Sequence, residues 1–513
     1  MRSFNDLFLF LCYEIAYVLD IVIAIDPVFM YNMNGSIKEV HMKRKTKIIC
    51  TVGPAIDNYE MIDKMIDAGM NVARLNYSHA DQQEHKNRII MIREVAQKKK
   101  RFIGILADTK GPEIRTGKFE NDIATFKKGD RVEVHKQEIL GNRERFHIAC
   151  PELFDDIKKD DYLLIDDGKM RLTVLENAGD ILYCEVNNSG SIKTKKGVNV
   201  PNVKLSMPFV SKKDYDDIVF SAEMDVDMIA LSFVRRKEDV LEIRDILKKC
   251  GKPHIELIAK IENQEGVDNL ESILEVSDGV MVARGDLGVE VSTSLVPLYQ
   301  KRIIKMANEK GKPVITATHM LESMMYSPRP TRAEASDVAN AILDGSDAIM
   351  LSGESAAGEY PVEAVLVMDT IAKAIEDHIN YKEKLGNAIA SSQQTVNDAI
   401  GIAVSQTALA LPKAEVIIAF TETGGTAKRI CKFRPSVPII AVTDNQKTCQ
   451  RLTYYWGVFS ALKSNVTDMT LYDNVAIEVA KDFGFKSGTT IIITSGWAQK
   501  HGSTNTLRII DIP

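Results

Sequence analysis

From Lys43 onward, short apolar runs alternate with longer segments whose apolar positions recur every three or four residues. The runs at 47–52, 72–76, 103–108, 228–233, 256–261, 279–283, 314–318 and 348–352 read as strands. The segments between them read as amphipathic helices, for instance through Val240, Ile243, Ile246 and Leu247. Eight strands, each followed by a helix, satisfy the count for a closed (β/α)8 TIM barrel of the α/β class, with an open doubly wound sheet as the competing arrangement. The alternation breaks once, between Gly111 and Pro208. There β-branched residues, the alternation Arg131-Val-Glu-Val-His135 and the turn signal Asp166-Asp-Gly168 predict a small inserted β-barrel module. An insertion after the third strand lies at the carboxyl face of a barrel, where a hinged lid is the physical expectation. Beyond Asp377, the polar stretch 393–397 leads to further short strands at 417–420, 439–442 and 490–494. The resulting division is an extension at 1–42, a barrel at 43–111 and 208–385, a β lid at 112–207, and a C-terminal α/β domain at 386–513 that is a possible effector site.

The most apolar stretch, 7–25, is interrupted by Glu14 and Asp20. A membrane helix needs roughly 20 apolar residues, and each carboxylate would cost about 2.5–3.5 kcal/mol at its centre. Read as a signal peptide, it has only Arg2 as a positive region and no small-residue cleavage site. It is therefore taken as a disordered or weakly helical extension outside the fold, with targeting or a membrane-proximal role as the alternative. A length of 513 residues fits about three globular domains. A formal charge of −6 leaves no basic footprint for nucleic acid. Seven scattered cysteines without a C-x-x-C pair argue against a disulfide frame or zinc finger and for a reducing, cytoplasmic compartment.

Function is read from where each strand stops being apolar. The ends are Arg74-Leu-Asn76-Tyr-Ser78, Asp108-Thr-Lys110, Lys260-Ile-Glu262, Arg284-Gly-Asp286, Thr316-Ala-Thr318-His319 and Ser352-Gly-Glu354. Charges are seldom buried unless paired or bound to metal, so six such ends together describe a polar cavity of mixed sign. Glu262 and Asp286 offer two hard oxygen ligands, the number magnesium commonly takes from a protein. Lys260 lies on the same face as Glu262, and Arg74 adds a planar cation suited to phosphate. A metal and two cations around one point suit phosphoryl or enolate chemistry rather than acyl transfer. Bland alternatives stand beside these readings: a structural Lys260 salt bridge, a loop-capping Arg74, a solvated Glu354, and for His319 either packing or support of the residues that touch substrate. Met324-Met325 reads as core filling. Asp482-Phe-Gly484 spells a protein-kinase motif without its companions, and Gly484 reads better as the residue that ends a helix.

Longer motifs carry a resemblance. Lys45-Thr-Lys-Ile-Ile-Cys-Thr-Val-Gly-Pro54, Ala73-Arg-Leu-Asn-Tyr-Ser-His79, Ala107-Asp-Thr-Lys-Gly-Pro-Glu-Ile-Arg-Thr-Gly117, Ala259-Lys-Ile-Glu-Asn-Gln-Glu-Gly266, Met281-Val-Ala-Arg-Gly-Asp-Leu-Gly288 and Pro328-Arg-Pro-Thr-Arg-Ala-Glu334 resemble the pyruvate kinase family. The resemblance implies transfer of a phosphoryl group from phosphoenolpyruvate to ADP, giving pyruvate and ATP, in a cytoplasmic homotetramer with neither nucleic-acid nor membrane partners. It implies that Lys260 stabilises the phosphoryl group in flight, that Glu262 and Asp286 hold magnesium, and that Thr318 takes part in protonating the enolate. Substrate would touch Arg74, Lys260, Gly285, Asp286 and Thr318. Asn76, Ser78, Asp108 and Thr109 match the family's potassium site, and Glu113 fits its potassium-dependent branch. Nucleotide would engage Asn76, His79, Arg115 and, from the lid, Lys196. Two departures stand out: His319 where many members carry glutamine, and Glu422 within Thr421-Glu-Thr-Gly-Gly-Thr426, where sugar-phosphate-responsive members tend to carry lysine. Another magnesium-dependent barrel acting on phosphoenolpyruvate or an α-keto acid is the enzymatic alternative, and a catalytically inactive metabolite sensor the non-enzymatic one.

Overall fold

The computed structural model of the chain describes residues 42, 44–464, 469–496 and 504–513; the apolar stretch at 7–25 therefore lies outside the described residues. Eight strands close into a parallel barrel: β1 (Lys47–Thr51), β2 (Val72–Asn76), β3 (Gly104–Asp108), β4 (Met228–Leu231), β5 (Glu256–Ile261), β6 (Gly279–Ala283), β7 (Val314–Ala317) and β8 (Ala348–Leu351). β8 pairs back onto β1, with Lys47 opposite Ala348, so no edge is left and the open sheet is excluded. Strands buried on both faces must be apolar almost throughout, which is why they read as runs rather than alternations. Ile49, Val72, Leu106, Ala230, Ile258, Met281, Ile315 and Met350 belong to the cluster that fills the barrel interior. Their neighbours, such as Ile48, Ala73, Ile105 and Leu257, pack against the surrounding helices. The helix Lys237–Lys249 buries Val240, Ile243, Ile246 and Leu247, as its period predicts. The helix Arg332–Asp344 starts at a capping box between Thr331 and Glu334 and ends at Gly345, whose φ of 112° needs glycine.

The insertion between β3 and β4 forms a seven-stranded sheet and a two-stranded one around its own apolar core, which includes Phe126, Phe146, Leu163 and Leu172. The ends of the larger sheet meet at a bridge between Thr116 and Ile148, which curls it into a small barrel. Asp166 and Asp167, at φ 54° and 56°, make the tight turn between strands Tyr162–Ile165 and Met170–Asn177.

The C-terminal region carries a five-stranded sheet of β9 (Ala414–Phe420), β10 (Ile439–Thr443), β11 (Val458–Leu462), β12 (Thr490–Ser495) and β13 (Thr506–Asp511), in the order β11-β10-β9-β12-β13. The apolar pattern foretold β9, β10 and β12. It missed β11 and β13, the two edge strands, whose partial exposure breaks the apolar run. Gly484, at φ 94°, follows the helix Tyr472–Asp482, so the kinase-like triplet is a helix terminus.

This sheet's domain closes the amino end of the barrel. Tyr454, Tyr455 and Trp456 join the interior cluster itself. Charges that begin the barrel strands are consumed there. Lys47 donates to the Val458 carbonyl (2.6 Å), and Glu256 accepts from Lys428, Tyr454 (2.5 Å) and Tyr455 (3.3 Å). Asp347 is held bidentately by Arg434 at 2.8 and 2.9 Å. The described cysteines are all free thiols. Among the described residues no helix is long and apolar enough to cross a membrane.

Removing Asp347 leaves the Arg434 guanidinium buried without its counter-charge. Asp347→Ala is expected to destabilise the protein by about 3–5 kcal/mol, read as an unfolding midpoint lowered in heat or denaturant. A midpoint equal to that of the parent would show that Arg434 finds another partner.

Candidate active site

The polar strand ends converge by parity. Side chains alternate across a strand, so residues two or four beyond an interior apolar position also point inward, but at the carboxyl mouth. Ile258 leads to Lys260 and Glu262, Val72 to Arg74 and Asn76, and Leu106 to Asp108. Lys260 Nζ lies 2.9 Å from Glu262 Oε1, 3.2 Å from Asp108 Oδ1 and 2.8 Å from Ser232 Oγ. Arg74 Nε donates to Asp108 Oδ2 (2.6 Å), and its other arm reaches Thr51 Oγ1 (2.9 Å). The Phe233 N–H donates to Glu262 Oε2 at 2.6 Å. Two cations and two carboxylates thus share one dry socket: Lys260 is 8% exposed, Asp108 1% and Glu262 0%.

Burial pulls the Lys260 ammonium toward its neutral form, but Asp108, Glu262 and Asp286 more than reverse this and hold its pKa above the usual lysine value. Asp108 is likewise desolvated, yet Arg74 and Lys260 bring its carboxyl below the ordinary range. Glu262 goes the other way. Burial outweighs the pull of Lys260, Asp286 adds repulsion, and the carboxyl rises to about 8. Glu262 Oε1 is close to Nζ but accepts no aligned hydrogen bond. A buried oxygen that still seeks positive charge, near a second carboxylate, fits a divalent cation. No group of three or more His, Cys, Asp or Glu able to hold a metal occurs among the described residues, so the remaining ligands of such an ion would be substrate and water.

Asp286 stands in the first turn of the short helix Arg284–Glu290, which follows β6 directly. Arg284 turns away to donate to the Thr318 carbonyl (2.7 Å) and to pair with Asp337 (2.7 Å), bracing the end of β7. Thr318, at φ 67°, accepts from the Gly285 N–H at 2.8 Å, which places these two residues together. Asn76 and Asp108 are opposed in register, which brings Asn76, Ser78, Asp108 and Thr109 to one pair of strand ends. On the lid, Gly197 opposes Arg115, so Arg115 and Lys196 are neighbours. Lys196 pairs with Asp166 (2.7 Å), and Arg115 with Glu113 (2.7 Å). His79 is exposed, and its carbonyl accepts from the His85 ring. His319 is exposed rather than packed, 4.0 Å from Glu322. Met324 is fully buried, in keeping with core filling.

Two polar mouth residues were overlooked in the sequence, Thr51 and Ser232. Each follows its interior residue, Ile49 or Ala230, by two positions, so the parity rule applied to β1 and β4 would have found them. Glu354, by contrast, is neither solvated nor available. It is buried, and its two oxygens accept from the Leu321 N–H (3.1 Å) and the Ser352 N–H (2.7 Å). Glu354→Ala should therefore lower thermal stability, by about 1–3 kcal/mol for the stranded donors, while leaving divalent-metal affinity unchanged. A weakened metal titration in a normally stable variant would reassign Glu354 to the metal.

Comparison with known proteins shows the family. The family model described as pyruvate kinase, barrel domain, matches residues 43–365, and that described as pyruvate kinase, alpha/beta domain, matches residues 398–510. The chain is 49% identical over 475 residues to the pyruvate kinase of Geobacillus stearothermophilus, covering 91% of this chain and 80% of the relative. It is 48% identical over 471 residues to that of Staphylococcus saprophyticus, with the same coverage. The crystal structure of a pyruvate kinase from Cryptosporidium parvum superposes with a TM-score of 0.89 at 39% identity, covering 92% of this chain and 97% of that one. On the strength of both domains and of these relatives, the chain belongs to the pyruvate kinase family.

Proposed function

We propose that the carboxyl mouth of the barrel carries out the family's reaction: transfer of the phosphoryl group of phosphoenolpyruvate to ADP, giving pyruvate and ATP, in the last step of glycolysis. The observation that supports this most is the Lys260 ammonium held between Asp108 and Glu262 in a socket where burial by itself disfavours the charge. Phosphoryl transfer through a loose transition state asks for positioning and charge neutralisation rather than covalent help. Lys260 is the fixed cation for the phosphoryl group in flight, and Arg74 a second one for substrate oxygens. Gly285 offers close backbone approach, and Thr318, whose hydroxyl rests on the Ala317 carbonyl at 2.6 Å, would take part in relaying a proton to the enolate through water. Glu262 and Asp286 would hold magnesium, which would supply Lewis-acid charge neutralisation when bound. Asn76, Ser78, Asp108 and Thr109 would hold potassium, with Glu113 in keeping with that dependence. Asn76, His79, Arg115 and Lys196 would bind the nucleotide, the last two brought in by the lid. A homotetramer and a cytoplasmic location belong to the same reading.

A coupled assay with phosphoenolpyruvate and ADP tests it. Lys260→Met is expected to fold and bind substrate while losing about 10²–10³ in kcat, the usual loss for one preorganised donor. Near-normal turnover would refute the role. In Glu262→Ala the magnesium requirement should shift by orders of magnitude, and an unchanged titration counts against ligation.

The loop at 421–426 leads into the helix Gly425–Lys432, and the Gly424 N–H caps back onto Thr421 Oγ1 at 3.0 Å. Glu422 sets an anion there, and carboxylate beside phosphate is repulsive. Fructose 1,6-bisphosphate activation is accordingly expected to be absent or weak. A sigmoidal phosphoenolpyruvate curve made hyperbolic by micromolar sugar bisphosphate would overturn this.

A further inference from the structure

Three oxygens surround the Lys260 ammonium: Glu262 Oε1 and Asp108 Oδ1 as ion-pair partners at 2.9 and 3.2 Å, and Ser232 Oγ as its hydrogen-bond acceptor at 2.8 Å. If the mouth transfers a phosphoryl group, Glu262 would be needed as a magnesium ligand and Lys260 would have to direct an N–H at the phosphoryl oxygens. Asp108 stays, but it is shared with Arg74 through its other oxygen, and each carboxylate beside Lys260 offsets part of the charge the phosphoryl group needs. Ser232 alone can restrain the nitrogen without neutralising it.

The geometry of Ser232 suits that task. Its hydroxyl donates to the Thr109 carbonyl at 2.6 Å, with Asp108 Oδ1 a longer second acceptor at 3.3 Å; either leaves a lone pair for Lys260. Its backbone N–H donates to Thr109 Oγ1 at 3.2 Å. Gly111, at φ 73°, lets the chain after β3 press close: a Cβ there would fall 2.8 Å from Ser232 Cβ. The next residue, Phe233, adopts φ 58°, a left-handed conformation that a bulky residue avoids unless its surroundings impose it. This bend aims the Phe233 N–H at Glu262 Oε2. Adjacent residues after β4 thus grip Lys260 near the end of β5 through a side chain and Glu262 just beyond it through the backbone.

We propose that Ser232 is a positioning residue for phosphoryl transfer, one that acts on the reaction only through the Lys260 ammonium it orients. The proposal rests on the phosphoryl-stabilising role of Lys260, and a double-mutant cycle separates the two. Turnover with phosphoenolpyruvate, ADP, magnesium and potassium is measured for the parent, Ser232→Ala, Lys260→Met and the double variant. Ser232→Ala is expected to lower kcat by about 10- to 100-fold, the loss of one hydrogen bond to a charged group, with KM for phosphoenolpyruvate held within about threefold. In the Lys260→Met background the same change should cost less than about twofold, because its target is gone. A parent-like kcat in Ser232→Ala overturns the proposal, and so does a full, multiplicative loss in the double variant, which marks a structural role. Should Lys260→Met itself turn over normally, the reading of the site fails; should it collapse while Ser232→Ala is neutral, only the positioning role fails. Unfolding midpoints of each variant check the fold. Ser232→Cys, which keeps the volume with a weaker acceptor, takes the place of alanine in the same cycle if Ser232→Ala does not fold.

Discussion

A lysine ammonium kept charged although it is largely withdrawn from water is the constraint on which this molecule turns. Taking such a group out of water costs several kcal/mol, and only well-placed opposite charge with hydrogen bonds restores it. Asp108 and Glu262 supply the charge, from β3 and from the end of β5, with β4 between them. A closed parallel barrel is suited to this because its ladder fixes neighbouring strands in register, and alternation fixes which side chains enter the mouth. The result is a cation whose position is set by backbone pairing rather than by flexible loops. On the proposed reading, the chemistry then needs little beyond bringing phosphate oxygens to it.

The opposite end of the barrel serves the same end. β5 begins at Glu256, gripped by Lys428, Tyr454 and Tyr455 of the C-terminal domain, and finishes at Lys260 and Glu262 in the mouth. β8 is similarly pinned at its start through Asp347 and Arg434. Because Tyr454, Tyr455 and Trp456 belong to the interior cluster, the two domains share one packed core. A strand anchored so firmly at its amino end cannot slide, and a slip of one residue would turn Lys260 out of the mouth.

Much of this was legible from the chain alone, and the reasons differ by element. The barrel strands were plain because burial on both faces forces uninterrupted apolar runs. Their polar ends were plain because a charge that directly follows a buried run must be paired, ligated or used. The edge strands Val458–Leu462 and Thr506–Asp511 were not, since a half-exposed strand resembles a loop when read singly. Ser232 went unnoticed because a hydroxyl after an apolar run carries no charge to draw attention. The charges that begin strands, Lys47, Asp227, Glu256 and Asp347, went unread for a different reason. Nothing local says that a second domain covers them, although four buried charges at one end of a barrel require a partner. Glu354 shows the converse: a carboxylate beside the site whose oxygens are both spent on backbone N–H groups.

The lid shows how weak contacts become useful. Lys196 and Arg115 sit in pairs with Asp166 and Glu113, at side-chain exposures of 34% and 41%. Pairs so open to water are worth only about 0–1 kcal/mol, so a polyphosphate can displace the carboxylates at little cost. The buried pairs of the barrel mouth have the opposite character, since breaking one strands a charge. Asn199, three residues beyond Lys196, donates to Glu290 at 2.7 Å, and Glu290 lies on the helix whose first turn holds Asp286. The half-exposed cations therefore hang from a module that rests on the helix of the proposed metal ligand, while the buried cation stays with the strands. The contrast is one of burial: Lys196 and Arg115 are left partly in water, where a paired charge exchanges partners cheaply, and Lys260 is held among buried carboxylates, where it does not.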